Sequence, residues 1–192
     1  MSVGDTKSEL RRFVRLTRAA RSARELDEAV TGFGVALTTL IAEEKWRRVA
    51  AFIPTATEPP ILTLLESLVT DGVEVTVPVS GPDGLLEWIR VERGFVDDMT
   101  VDSMGMPIPT SGTRVTLTAT DVVLVPAAAV DRHGNRLGWG KGYYDRFLAG
   151  LDPDTFVVAV VFDSDVLMEI PTEKHDVGVD VIVTERDIYT VQ

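Results

Sequence analysis

The sequence predicts an α/β fold, a mostly parallel sheet with helices on both of its faces. Two observations carry that expectation. Residues 47–79 run strand, helix, strand: RRVAAFI is short and apolar, ILTLLESLVTDG is an amphipathic helix stopped by Gly72, and VEVTVPV is a second strand. A strand, a helical crossover and another strand make a parallel βαβ unit. Further on, TDVVLVP at 120–126 and TFVVAVVF at 155–162 are continuous apolar, β-branched runs. Runs of that kind belong to strands covered on both faces.

The other elements follow in chain order. Residues 6–21 predict a helix, because Leu10, Phe13, Val14 and Thr17 recur at i, i+3, i+4, i+7. Lys7, Arg11 and Arg18 fall in a narrow stripe beside that face. Such a stripe is either a solvated flank or a set of contacts to an anion. Ser22 suits the N-cap of a second helix that ends near Glu44. PTATEPP, after the first strand, is a loop that holds Glu58 at a strand's carboxyl end, where such sheets bind ligands. LLEWIRV at 85–91 predicts another strand. Over 93–120 the pattern weakens, and MGMPIPTSGT at 104–113 is a loop rich in Gly and Pro. A helix is expected over 142–150, and the last residues of PTEKHDVGVDVIVTE, 171–185, are strand-like. No repeat, low-complexity tract or linker divides the chain, so one domain over 1–192 is expected, with N-terminal helices at 6–44 and the sheet region at 47–192.

Composition narrows the function. The apolar share of 45% and charged share of 26% are those of an ordinary soluble globular protein. No apolar run approaches the ~20 residues of a membrane span. MSVGDTKSELRRF lacks the apolar region of a signal peptide. The absence of cysteine excludes disulfides, cysteine-bound zinc and thiolate catalysis, and fits a cytoplasmic location. The net charge of −11 argues against nucleic acid and anionic membrane as partners. Seven cations against two acids give residues 1–24 a local +5, so the remainder carries −16. Within that remainder Arg132, Arg136, Lys141 and Arg146 are the one other basic concentration. Two small basic patches on an acidic chain suggest a focused anion site.

The second patch is NRLGWGKGYYDR, Asn135 to Arg146. Gly138, Gly140 and Gly142 alternate with Trp139 and Lys141. Alternating glycines let the backbone come close to a ligand and turn N–H groups toward an anion. Arg136 and Lys141 add charge, and a helix start at Tyr143 would add a dipole end. Asp145 is placed to hold a metal ion on the same phosphate. The pattern is neither the Walker loop nor the dinucleotide fingerprint, and no G-x-S-x-G elbow is present. His133 and His175, without cysteine partners, make a weak zinc site. Three readings stay open on residues alone: a phosphate-using enzyme, a binding module without turnover, and a sugar-phosphate isomerase or transferase.

The run LVPAAAVDRHGNRLGWGKGYYDRFL resembles the signature of the 5-formyltetrahydrofolate cyclo-ligases, also called 5,10-methenyltetrahydrofolate synthetases. The resemblance implies a three-layer α/β/α arrangement. It also implies ATP-dependent closure of 5-formyltetrahydrofolate to 5,10-methenyltetrahydrofolate, with Mg²⁺ as cofactor and reduced folate and ATP as small-molecule partners. The chain is expected to act as a monomer. KSELR at 7–11 matches a K-x-x-L-R element, so Lys7 and Arg11 are expected on the ATP phosphates. Arg136, Leu137, Gly138, Trp139, Gly140, Lys141, Gly142, Tyr143 and Tyr144 complete the expected nucleotide site, with Lys141 and Arg136 acting on the transferred group. Glu58 is expected to bind the pterin ring, with Ile53, Trp139 and Tyr143 beside it, and Asp145 and Asp176 to hold Mg²⁺. Ile108 stands where the family usually has Glu before a proline, and Val130 where Phe is more frequent.

Overall fold

A computed structural model describes residues 3–117, 119–173 and 176–191. The chain begins with α1 (Val3–Ala19) and α2 (Ala23–Glu43), then β1 (Arg48–Ala51), α3 (Leu62–Thr70), β2 (Glu74–Ser80) and β3 (Leu86–Arg90). Short strands follow: β4 (Met99–Val101), β5 (Pro107–Pro109) and β6 (Thr113–Val115). The centre of the fold is β7 (Val122–Pro126), which leads into β8 (Ala129–Asp131), β9 (Arg136–Leu137) and α4 (Tyr143–Leu148). The chain closes with β10 (Phe156–Val160), β11 (Val166–Leu167), β12 (Val181–Val183) and β13 (Ile188–Thr190).

Eight strands form the main sheet in the order β13-β12-β10-β7-β1-β2-β3-β6. The five from β12 to β2 run parallel to one another. Antiparallel strands close both edges, β13 on one side and β3 with β6 on the other. The composition of β7 explains its central place. Val122 and Leu124 point into a core shared with Phe33 and Leu37 of α2 and Leu65 of α3. Val123 and Val125 point into the opposite core, with Leu148 of α4, Ala127 and Val179. Every residue of such a strand must be apolar, because neither face meets water. A third, smaller cluster seats Val14 of α1 on Ala128, Ala129, Leu137 and Ile170.

The chain leaves β1 for β2 on one side and later returns to β7 on the other. Neighbouring connections therefore diverge between β1 and β7. The carboxyl ends of these two strands open a crevice, the usual ligand position in such sheets.

Several elements differ from the sequence reading. Ser22 does cap α2, with Glu25 closing a reciprocal capping box. α1, however, buries Lys7, Val14 and Arg18, while Phe13 is 60% exposed. The apolar spacing finds part of the packed face, with Val14 buried and Leu10 and Thr17 half-buried, but it misplaces Phe13, because the rest of that face is Lys7 and Arg18 resting on carbonyls and carboxylates. Arg18 Nε donates to Asp165 Oδ2 at 2.8 Å, and Nη2 donates to the carbonyls of Ala127 and Ala128 at 2.8 and 3.2 Å. Arg18 is thus a buried anchor, neither solvated nor turned to a ligand. The expected loop at 104–113 contains β5 and the start of β6. Asp102 builds the tip between β4 and β5, accepting from the N–H groups of Met104 at 2.8 Å and Met106 at 3.0 Å. α4 spans only six residues, against 142–150 expected, so its dipole contributes little. His175 lies outside the described residues.

Two glycines in α2 make a paired test of packing. A Cβ at Gly34 would meet nothing within 4 Å, whereas one at Gly32 would overlap the backbone carbonyl of Glu185. Gly34→Ala should therefore stabilise the protein by about 0.5–1 kcal/mol, the ordinary helix-propensity gain. Gly32→Ala should destabilise it by roughly 1–3 kcal/mol through overpacking. Denaturant unfolding of both variants checks the opposite signs.

Candidate active site

The glycine loop is aimed by a buried carboxylate that precedes it. Asp131, at the end of β8, accepts through Oδ1 from the N–H groups of His133 and Asn135, both at 3.0 Å. Its Oδ2 accepts from Asn135 Nδ2 and from the N–H of Ile170, both at 2.9 Å. Burial alone would raise this carboxyl, but the four hydrogen bonds outweigh burial and hold it below its usual value. The turn they fix hands the chain to β9.

Along β9 the side chains part. Leu137 turns into the small α1 cluster and is 1% exposed. Expected at the nucleotide, it contributes no side chain to the cavity. Arg136 turns the other way, toward the carboxyl end of β7. Its Nη1 donates to the Pro126 carbonyl at 3.4 Å, and its Nη2 pairs with Asp145. Burial pushes the guanidinium below its ordinary value, and Asp145, Tyr144 and Asp176 pull it back. A guanidinium stays charged through such a shift.

The loop itself is held by arginines. Arg11 Nε donates to the Gly138 carbonyl at 2.7 Å, and the other guanidinium nitrogens of Arg11 make no hydrogen bond among the described residues. Side chains at Gly138 and Gly140 would lie 3.0 Å from Arg136 Nη1 and 3.3 Å from Arg11 Cζ. Those glycines let two cations come against the backbone. The Trp139 ring is near two more, with the Cζ atoms of Arg15 and Arg18 each 5.3 Å from its centroid.

Trp139 links the loop to β1. Its Nε1 donates to Glu58 Oε1 at 3.1 Å. Glu58 Oε2 accepts from the N–H and the hydroxyl of Thr55 at 2.9 and 2.8 Å. Glu58 is 5% exposed, so it is no ordinary surface glutamate.

These groups surround a cavity of about 330 Å³ at the β1–β7 crevice. That volume suits a small-molecule site. Phe52 and Ile53 line it beyond β1, Pro78 and Ser80 at the end of β2, and Pro126 at the end of β7. Glu58, Arg136 and all of residues 138–145 complete the wall, with Asp102, Met106 and Pro107 on the side of the β4–β5 ribbon. Tyr144 lines it with a buried hydroxyl that has no hydrogen-bond partner among the described residues. Burial pushes that hydroxyl far above its usual ionisation, Glu58 adds to the shift and Arg136 opposes it.

Lys7 is not part of the wall. Its Nζ donates to Glu173 at 2.8 Å and to Asp176 at 2.6 Å. Burial lowers its pKa, but these carboxylates outweigh burial and raise it overall. Asp145 pairs with Arg136, and the charge of Asp176 also acts weakly on that buried cation. No group of three or more His, Cys, Asp or Glu suited to a metal occurs among the described residues. Two carboxylates are nevertheless the usual protein share for Mg²⁺, which takes its other ligands from phosphate and water.

Sequence reasoning missed Arg15, Thr55 and the Asp102–Pro107 segment. Arg15 continues the i+4 spacing of Lys7 and Arg11, a signal that was available. Thr55 stands three residues before Glu58, as a capping partner would. The ribbon tip has no periodic signature.

Comparison with known proteins covers almost the whole chain. The 5-formyltetrahydrofolate cyclo-ligase family matches residues 3–185. A 5-formyltetrahydrofolate cyclo-ligase of Mycolicibacterium smegmatis is 36% identical over 191 residues, 94% of each chain. The NMR structure of Aquifex aeolicus 5,10-methenyltetrahydrofolate synthetase matches with a TM-score of 0.83 at 30% identity, over 97% of this chain and 93% of that one. The Mycoplasma pneumoniae 5,10-methenyltetrahydrofolate synthetase, 20% identical with a TM-score of 0.73 over 93% and 98% of the two chains, shares the fold. With its signature loop at the switch point of a matching sheet, the chain belongs to the 5-formyltetrahydrofolate cyclo-ligase family, a family of enzymes.

Proposed function

We propose that this protein catalyses the ATP-dependent cyclisation of 5-formyltetrahydrofolate to 5,10-methenyltetrahydrofolate, releasing ADP and phosphate. The observation that carries the reading is one cavity with two chemically distinct walls. A buried, hydrogen-bonded carboxylate, Glu58, stands against a cationic glycine loop bearing Arg136 and Lys141. The first suits the N–H donors of a pterin, the second a phosphoryl group.

The chemistry accounts for both walls. A formyl oxygen on an amide nitrogen is a poor leaving group. Its attack on the γ-phosphorus breaks the bond to ADP and makes a formyl phosphate derivative. The neighbouring amine of the same folate then attacks the activated carbon and closes a five-membered ring. Phosphate leaves and carries off the amine proton. Because that attack is intramolecular, the protein supplies orientation and charge neutralisation, and no general base is needed. Lys141, Arg136 and the loop N–H groups surround the transferred group in this scheme. Arg11 reaches the outer phosphates with its unpaired nitrogens, and Lys7 joins it only by exchanging Glu173 and Asp176 for phosphate. Ile53, Trp139 and Tyr143 face the folate rings. Asp145 and Asp176 would hold Mg²⁺, which neutralises phosphate charge when bound. The same reading takes residues 1–192 as one monomeric cyclo-ligase unit working in the cytoplasm, on neither nucleic acid nor membrane. Among the described residues no helix is long and apolar enough to cross a membrane.

Incubation with ATP, Mg²⁺ and 5-formyltetrahydrofolate should produce methenyl-folate absorbance with one ADP per turnover. Absorbance without ADP, or ADP without absorbance, would contradict the reading. Lys141→Ala should cut kcat by about 100- to 1000-fold while folate binding persists, as expected for loss of one charge-stabilising contact. Stopped-flow assay with parallel folate titration separates the two effects.

Glu58→Gln should weaken folate binding about ten- to a hundredfold, since an unpaired buried donor costs roughly 1–3 kcal/mol. ATP affinity should hardly change. Calorimetric titration of both ligands tests this, and unchanged folate affinity would reduce Glu58 to a strut for Thr55 and Trp139.

A further inference from the structure

Arg146 lies outside the cavity wall but grips two segments that shape it. Its Nε donates to the Gly84 carbonyl at 2.9 Å, in the turn between β2 and β3. Its Nη2 donates to the Lys141 carbonyl at 3.0 Å. Its Cζ stands 5.6 Å from the centroid of the Tyr143 ring. Two glycines make room for this guanidinium. Gly84 has φ +72° and Gly142 has φ +73°, a region costly for other residues. A Cβ at Gly142 would fall 2.8 Å from Nη1, and one at Gly84 would overlap Nη2. The arginine therefore fills the space of two missing side chains, one on each segment.

Lys141 is exposed, and its side chain makes no hydrogen bond among the described residues. With no such hydrogen bond to fix it, the reach of Lys141 over the cavity depends on where its backbone is held. That backbone is tied at two carbonyls by two arginines: Gly138 by Arg11 and Lys141 by Arg146. Only the second tie reaches across to the turn after β2, whose Ser80 lines the cavity.

We propose that Arg146 is a positioning residue for phosphoryl transfer, bracing the Lys141 end of the glycine loop against the β2–β3 turn. The proposal rests on the cyclo-ligase reading for its kinetic consequence, but not for its mechanical one. Losing the brace displaces Lys141 without removing it. Misplacement on the ångström scale costs as much as about 100-fold in rate. Arg146→Ala should therefore lower kcat by roughly ten- to a hundredfold, with the KM for folate little changed. Arg146→Lys should fall between, because an ammonium lacks the planar fork that reaches both carbonyls together.

Gly84→Ala supplies the control from the other segment. It should lower kcat by evicting the guanidinium, and the double variant should be no slower than Arg146→Ala alone, as expected for coupled residues. Thermal melts of each variant separate any loss of fold from loss of rate. Hydrogen exchange gives an arm independent of turnover: in Arg146→Ala the amides of Gly81 and Leu85, bonded across the turn, and of residue 146, bonded to the Gly142 carbonyl, should exchange faster together. Wild-type kcat in Arg146→Ala, multiplicative effects of the two substitutions, or unchanged exchange at both segments would overturn the proposal. If the wild type fails to cyclise folate while both segments loosen in Arg146→Ala, the brace stands and the cyclo-ligase reading falls.

Discussion

A glycine-rich loop has almost no side chains with which to pack, so polar contacts must hold it. That constraint organises this protein. Arg11 binds the Gly138 carbonyl, Arg136 spans Pro126 and Asp145, and Trp139 reaches Glu58 with the guanidinium groups of Arg15 and Arg18 beside its ring. Arginine suits the task because its planar fork holds two acceptors and stacks on an aromatic face. Three of the α1 cations, Arg11, Arg15 and Arg18, sit against the loop, and Lys7 pairs with Glu173 and Asp176.

Burying those cations has a cost, and the ion pairs hold position more than they add stability. Asp165 meets Arg18 in the interior, yet burial raises its pKa more than Arg18 and Arg21 lower it. Nη1 of Arg18 has no hydrogen-bond partner among the described residues. Replacing such a pair by apolar residues is often neutral or stabilising. Its retention here is understandable if α1 must sit in one register, since a shift of one turn would carry Arg11 and Arg15 off the loop. The hydrophobic stability lies elsewhere, in the two cores on either face of β7 and β10.

What the sequence made legible follows from this division. Where a segment packs against an apolar face, its period predicted it: β1, α3 and β2 as a parallel unit, and β7 and β10 as strands buried on both sides. The Ser22 cap was readable because it is local. The loop at 138–142 was readable as a special segment because its alternating glycines and cations have no place in a helix or strand, and the structure puts it in the cavity wall. α1 was legible as a helix with Val14 on its packed side, but Phe13 was misplaced, because an apolar period cannot see contacts made by Lys7, Arg11 and Arg18, whose partners lie more than a hundred residues away. Leu137, inside the signature, proved to be core for a related reason: a two-residue strand gives no alternation to read. The β4–β5 ribbon escaped because Asp102 and two prolines build it, without a hydrophobic repeat.

The proposed mechanism makes a claim about one atom. If the formyl oxygen is the nucleophile toward ATP, that oxygen must leave the folate attached to phosphorus. Carbonyl ¹⁸O-labelled 5-formyltetrahydrofolate tests this in a single turnover analysed by mass spectrometry of the released phosphate. Transfer through the formyl oxygen predicts one ¹⁸O in each phosphate formed, with none delivered to water. Label found in water, with unlabelled phosphate, would mean that ATP is hydrolysed beside the cyclisation and that the two walls of the cavity do not work on one molecule.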